Sequence, residues 1–324
     1  FIVYYLPAEP TVGFWDTGEY ITTSAKLQVG HPPGAPLYQM LGAIFSIFAF
    51  EKENIGFIMN LMSGFASALA ISFMYWSIIL ILKKITDTSK ASVNKQILIS
   101  GSALVGSLAF AFTDTFWFSA VETEVYAMAT LIMAVIFYLG LRWEADMHNS
   151  RGDKWLLLIC FVIGLSFGVH FMGLLVIPSI VMIYYFKNQK TILNSTKVNP
   201  KIGFFIANII GLGILMGVFK LLLPNTLKFF SAIELLFVNN LGLPFNSGTL
   251  VAFVVIVYAF YFLINYTRKK GMVRANTITL CFIFIFIGFS SWLILPIRAN
   301  ADVVVNENDP SNARELLALS LIHI

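Results

Sequence analysis

Charge is what this sequence has least of. Only 12% of its 324 residues are Asp, Glu, Lys or Arg, about half the share of an ordinary soluble domain. Two cysteines, Cys160 and Cys281, both fall inside apolar runs. They read as small core hydrophobes, not as a disulfide framework. The four histidines form no His/Cys cluster with metal-ligand spacing. There is no P-loop and no dinucleotide-binding glycine fingerprint. The basic clusters are short and scattered, which excludes a nucleic-acid face as the organising feature.

What is present is apolar. Hydrophobic residues make up 58% of the chain, and the mean hydropathy is +0.81. Long continuous apolar runs recur at 55–82, 98–113, 125–141, 155–169, 171–186, 202–223, 249–266 and 275–297. Continuous rather than alternating runs predict an all-α, polytopic transmembrane protein and disfavour a β-barrel. The expected count is about eight full spans. Residues 1–6 read as the tail of a further span whose start lies upstream, and Pro7 ends it. The polar stretch 298–324 is expected to be a loop, cut short at the end of the chain.

The positive charges fix a relative orientation. Fifteen of the 21 Lys and Arg residues sit in four stretches, 83–97, 142–154, 187–201 and 267–274. With one crossing between successive runs, these four stretches share one side, expected to be cytoplasmic. Segment 34–50 then decides where the first polar loop lies. If it spans, residues 7–33 are cytoplasmic. If it lies flat, they share the outer face with 114–124, 170 and 298–324. Leu37, Leu41, Phe45 and Phe48 form one helical stripe, and Pro36 suits a first turn. The flat, interfacial helix is the expectation, with Gln39, Gly42 and Ser46 as its polar face. Residues 7–54 are thus a first outer loop carrying that helix.

The outer face collects the candidate site residues. Asp16 and Glu19 are three apart, which places both carboxylates on one helical face. They are either a hydrated acidic loop or a functional pair that needs a partner or a raised pKa. Glu122 and Glu124 border a span, as helix-end acids in water or as substrate ligands. His170 sits among glycines that predict close helix packing, and is either structural or a ligand. Arg298 emerges on the side where basic residues are disfavoured. It either snorkels to lipid or clamps a phosphate with its planar fork. Two acids could hold a divalent cation, but no further ligand is fixed by spacing, so no metal site is assigned.

In order along the chain come Phe14–Tyr20 (FWDTGEY), Lys26–Leu37 (KLQVGHPPGAPL), Gly168–Pro178 (GVHFMGLLVIP), Leu295–Asn300 (LPIRAN) and Asn306–Pro310 (NENDP). Together they resemble a large bacterial membrane family, common in Bacteroidetes. It is related to a eukaryotic endoplasmic-reticulum protein O-mannosyltransferase that modifies plexin-type receptor domains. The resemblance implies a single GT-C-like transmembrane domain over 1–324, working on a lipid-phosphate-linked sugar donor. Asp16 and Glu19 match the acidic motif of the first outer loop, and His31-Pro32-Pro33 is similar to the His-Pro-Pro of protein O-mannosyltransferases. On this resemblance Asp16 is the expected base and Glu19 its partner, with the reverse open. Arg298 is the expected phosphate ligand, with His170, Lys26, His31, Glu122 and Glu124 as further donor or substrate contacts. The expected partners are a polyprenyl- or dolichyl-phosphate sugar, an exported protein or other hydroxyl acceptor, and membrane lipid. The expected location is a bacterial inner membrane, with an inverting transferase site on the periplasmic face. A transporter or flippase would need intramembrane charges and repeats. A non-catalytic scaffold would tolerate loss of Asp16.

Overall fold

The structure, a computed structural model, describes residues 1–86 and 92–323. Lys90, one of the basic residues used for orientation, lies outside them. The described chain is helical, with a single isolated β-bridge between Val29 and Asn306. In order the α-helices are α1 (Ile2–Tyr5), α2 (Thr17–Ala25), α3 (Pro36–Ser46), α4 (Ile55–Ile85), α5 (Val93–Ala111), α6 (Asp114–Val121), α7 (Val125–Asp146), α8 (Asp153–Ser166), α9 (Ile177–Thr196), α10 (Pro200–Met216), α11 (Leu223–Leu235), α12 (Ser247–Lys269), α13 (Val273–Phe289), α14 (Ile294–Ala299) and α15 (Ala313–His323).

Six described helical segments are long and apolar enough to cross a bilayer, or seven if the bent pair α5–α6 counts as one span. This is an all-α polytopic membrane protein. Phe204, Phe205, Ile209 and Leu212 on α10, and Phe253, Tyr258 and Tyr261 on α12, lie exposed. Faces that apolar belong against lipid, where they cost nothing to leave uncovered.

Four features differ from the sequence expectation. The run at 155–169 yields in α8 a helix of only 14 residues, about 21 Å long, short of a full span. It packs tightly instead. A Cβ on Gly164 would lie 2.2 Å from the Ile285 carbonyl, and one on Gly288 would lie 2.3 Å from that of Phe161, so α8 and α13 cross at backbone contact. Second, residues 225–240, expected as loop, continue one helical segment, Pro200–Asn240. Pro224 does not end it, because the preceding turns Gly217–Leu222 open into a π-helix. That widening accommodates a residue with no N–H to give. Third, 114–124 is mostly the helix α6, bent 70° from α5. Fourth, the end of the expected 298–324 loop is helix α15. Asn312 caps it, its Oδ1 accepting from the Arg314 and Glu315 N–H groups at 3.0 and 3.1 Å, and Leu316 and Leu319 join the core.

The molecule has two chemically distinct ends. At one, Glu144 pairs with Lys84 and with Lys187, the latter at 3.3 Å, and the Thr277 hydroxyl donates to Asp153 at 2.9 Å. This end carries the described parts of the four basic stretches. At the other, the Leu37 N–H donates to the Gly168 carbonyl at 2.8 Å. There too the Trp292 indole donates to the Phe167 carbonyl at 2.8 Å. The first polar loop, the turn at His170 and the α13–α14 region are thereby tied together.

Candidate active site

The acidic motif folds as the start of α2. Asp16 is its N-cap, and Glu19 lies in its first turn, where a negative charge complements the exposed N–H groups. The turn bearing His31 comes back to meet them. Glu19 accepts from the His31 backbone N–H at 2.6 Å and faces its Nδ1 at 3.0 Å. The other ring nitrogen, Nε2, lies 3.8 Å from Asp16 Oδ2. One carboxylate therefore fixes the imidazole, and the other faces its far side. Both oxygens of Glu19 are engaged, whereas the Asp16 side chain is 58% exposed. Close approach makes this possible. A Cβ on Gly30 would lie 2.7 Å from Glu19 Oε1. Tyr20 packs its ring 5.6 Å from that of His31 and 5.3 Å from that of Tyr38. Burial pushes the phenols of Tyr20 and Tyr38 well above the ordinary tyrosine range, so both stay neutral donors.

Helix α3 seats the other wall. Pro36 opens it, as expected, and at 11 residues it is far too short to span. Its faces are the reverse of a surface helix in water. Gln39 and Gly42 are buried against the protein, while Ile44, Ile47 and Phe48 are exposed. The expected faces are therefore not kept: Gln39 and Gly42 turn to the protein, Leu37, Leu41 and Phe45 of the expected apolar stripe pack against the core, and Ile44, Ile47 and Phe48 at the end of the segment face outward.

Arg298 reaches the same loop from α14. Its Nε donates to the Leu27 carbonyl at 2.5 Å, and an Nη to that of Lys26 at 3.4 Å. Of its five donors, it spends part on holding the His31 turn in place. The strand-like pairing of Val29 with Val305 and Glu307, at 3.0 and 3.1 Å, does the same. Lys26 enters through its backbone. His170 caps the turn that follows it, its Nδ1 accepting from the Met172 N–H at 3.1 Å. Its ring packs edge-on to Tyr126 at 5.4 Å.

Glu122 and Glu124 are nearly buried, at 7% and 8% exposure, and are not the solvated helix-end acids that one reading allowed. With Trp15, Asp16, Phe118 and Tyr126 they line a cleft of about 280 Å³. Burial, with Asp16 and Glu122 nearby, pushes the Glu124 carboxyl up to about 7, partly offset by the Val125 and Asp16 N–H groups. Burial, with Glu9 nearby, also raises that of Glu122.

One organiser escaped the sequence reading. Asn60, fully buried on α4, donates to the Glu9 and Thr11 carbonyls at 2.7 and 2.9 Å. Its Oδ1 accepts from the Thr123 hydroxyl at 2.5 Å. It pins the first loop to the start of the Glu122–Glu124 segment. A lone amide in an otherwise apolar span was the available signal.

Residues 16–193, which carry Asp16, Glu19, His31, Glu122, Glu124 and His170, match the family model of the protein O-mannosyl-transferase TMEM260 N-terminal domain. The chain belongs to this family. It is 26% identical over 189 residues to the Dictyostelium discoideum protein named protein O-mannosyl-transferase tmem260, covering 55% of this chain and 21% of that protein. Against the Mus musculus protein of the same name it is 27% identical over 154 residues, covering 47% of this chain and 19% of that one. The match thus spans about a fifth of the length of these relatives. No solved structure matches.

Proposed function

We propose that this chain carries the transfer site of a membrane protein O-mannosyltransferase. The donor is a polyprenyl- or dolichyl-phosphate mannose, and the acceptor is a serine or threonine hydroxyl of an exported protein. The observation that carries this reading is the Glu19–His31–Asp16 assembly, built at one end of the membrane bundle within the family-matched segment. A hydroxyl is a weak nucleophile at neutral pH, so a carboxylate must take its proton as the new bond forms. Asp16 is that base, because it is exposed and both oxygens of Glu19 are occupied by His31. Glu19 positions His31, whose Nε2 faces Asp16 at 3.8 Å. In one displacement the acceptor oxygen attacks the anomeric carbon, the carbon–oxygen bond to phosphate breaks, and the configuration inverts. The free donors of Arg298 then neutralise the departing phosphate. An apolar cavity of about 630 Å³, lined by Phe230, Phe253, Trp292, Pro296 and Leu316 among others, opens beside α14 and suits the lipid tail. The site end faces the periplasm of a bacterial inner membrane, opposite the basic stretches.

A divalent cation fits the same three residues, since one ligand atom from each of Asp16, Glu19 and His31 lies within 4.8 Å of the others. Such an ion would take the place of the Glu19–His31 contact and supply charge for the leaving phosphate.

The test is mannose transfer and lipid-phosphate release by the full-length protein in membranes. Turnover that vanishes in Asp16→Asn, with donor binding intact, supports the transferase and its base. Wild-type protein that neither binds nor turns over any lipid-phosphate sugar refutes it.

A further inference from the structure

The cleft next to Asp16 has features that proton transfer does not require. Glu122 lines it at 7% exposure, and no hydrogen-bond donor or cation among the described residues meets its carboxylate. Its carboxylate opens only onto the cleft, so what occupies the cleft is what meets it. Trp15 stands on the same cleft and is 87% exposed. Its backbone is held at φ +59°, a left-handed conformation that a bulky residue adopts only under constraint. Phe118, on the same cleft, is also exposed.

The chemistry of the lining selects the ligand. Among the described residues no lysine or arginine lines the cleft, so a phosphate would meet only negative charge there. Glu122 and Glu124 do not converge with Asp16 on a point as Asp16, Glu19 and His31 do, so a small cation is not the match. What fits is a neutral ring with an apolar face for Trp15 and several hydroxyl donors for spread-out carboxyl groups.

We propose that the cleft is the hexose subsite. The sugar ring lies against Trp15, and its hydroxyls donate to Glu122 and Glu124, which presents the anomeric carbon to the acceptor beside Asp16. This inference rests on the transferase reading.

The experiment compares binding of polyprenyl-phosphate mannose and of polyprenyl phosphate alone to the full-length protein in lipid nanodiscs. Trp15→Ala and Glu122→Leu should each weaken the sugar-bearing lipid by about tenfold, the first by loss of the aromatic face and the second by loss of a hydrogen bond to a charged group, and leave the sugar-free lipid unchanged. Trp15→Phe, which keeps a ring, should restore most of the loss. Glu122→Leu should also leave or raise the melting temperature, because the carboxyl it removes is nearly buried and meets no donor among the described residues; a purely structural Glu122 would lower it. Equal loss for both lipids, or none for either, overturns the subsite. Saturation-transfer NMR with methyl mannoside separates the two readings. A signal that Trp15→Ala removes, in a protein that binds no lipid-phosphate sugar, retains the subsite and sinks the transferase. No signal, in a protein that binds both lipids alike, retains the transferase and sinks the subsite.

Discussion

His31 gains its role only from contact with both acids. Glu19 grips it through the backbone and through Nδ1, which leaves Nε2 for Asp16. Replacing His31 by Ala should therefore lower turnover by about a hundredfold or more, in the range of losing an oriented acid–base partner, with donor affinity little changed. Initial rates against donor concentration would check this. Gly30→Ala makes a sharper test of position, because its Cβ would intrude on Glu19 Oε1. We expect it to lose activity much as Glu19→Ala does, and mannose-transfer assays of the two variants side by side would show it. Glu124 gives a pH signature. Its carboxyl, raised to about 7 from 4.5, stays protonated in the folded protein where the unfolded chain has ionised. The folded state then binds more protons between those values, so stability falls as pH rises through that window. Melting curves across that window should show the slope, and Glu124→Gln should flatten it.

At the scale of elements, two buried polar residues hold loops that apolar packing cannot. Asn60 satisfies two loop carbonyls and one hydroxyl. Asn60→Leu leaves them stranded and should cost about 1–3 kcal/mol or more, seen as a lower melting temperature together with impaired transfer. Glu234 does the same for α12. It accepts from the Asn246 and Thr249 N–H groups at 2.6 and 2.7 Å and from the Thr249 hydroxyl at 3.0 Å. Because it lies far from Asp16 in the chain and makes none of the site's contacts, Glu234→Ala should lower stability, read by thermal unfolding, without changing the donor KM. The pair separates the organisation of the site from that of the bundle. Neither role could be read from spacing, since each residue serves a segment distant in sequence.

For the whole molecule, the question is which end faces which compartment. In a protein with Cys160 and Cys281 replaced by Ala, Thr11→Cys and Ser195→Cys are both exposed positions at opposite ends. An impermeant thiol reagent added to intact cells should label the first and spare the second. The reverse pattern would move the site to the cytoplasmic side and remove the exported acceptor, and labelling of both would overturn the opposite-ends arrangement.

Sequence alone determined the class of this protein and picked out the polar stretches from which its candidate site is built. Long continuous apolar runs become helices, because in lipid a helix satisfies its own backbone within one segment, and the few charges left over had to gather at the ends. The three-residue spacing of Asp16 and Glu19 placed both at one helix start for the same local reason. Tertiary structure decided everything that depends on distant partners. It brought His31 between the two acids, turned Arg298 onto the Lys26–Leu27 backbone, and buried Glu122 and Glu124 in one cleft. It also shortened α8 against α13 and carried the helix past Pro224. Those outcomes are set by which backbone groups and carboxylates find donors across the bundle. That is a property of packing, and residue order along one helix does not encode it.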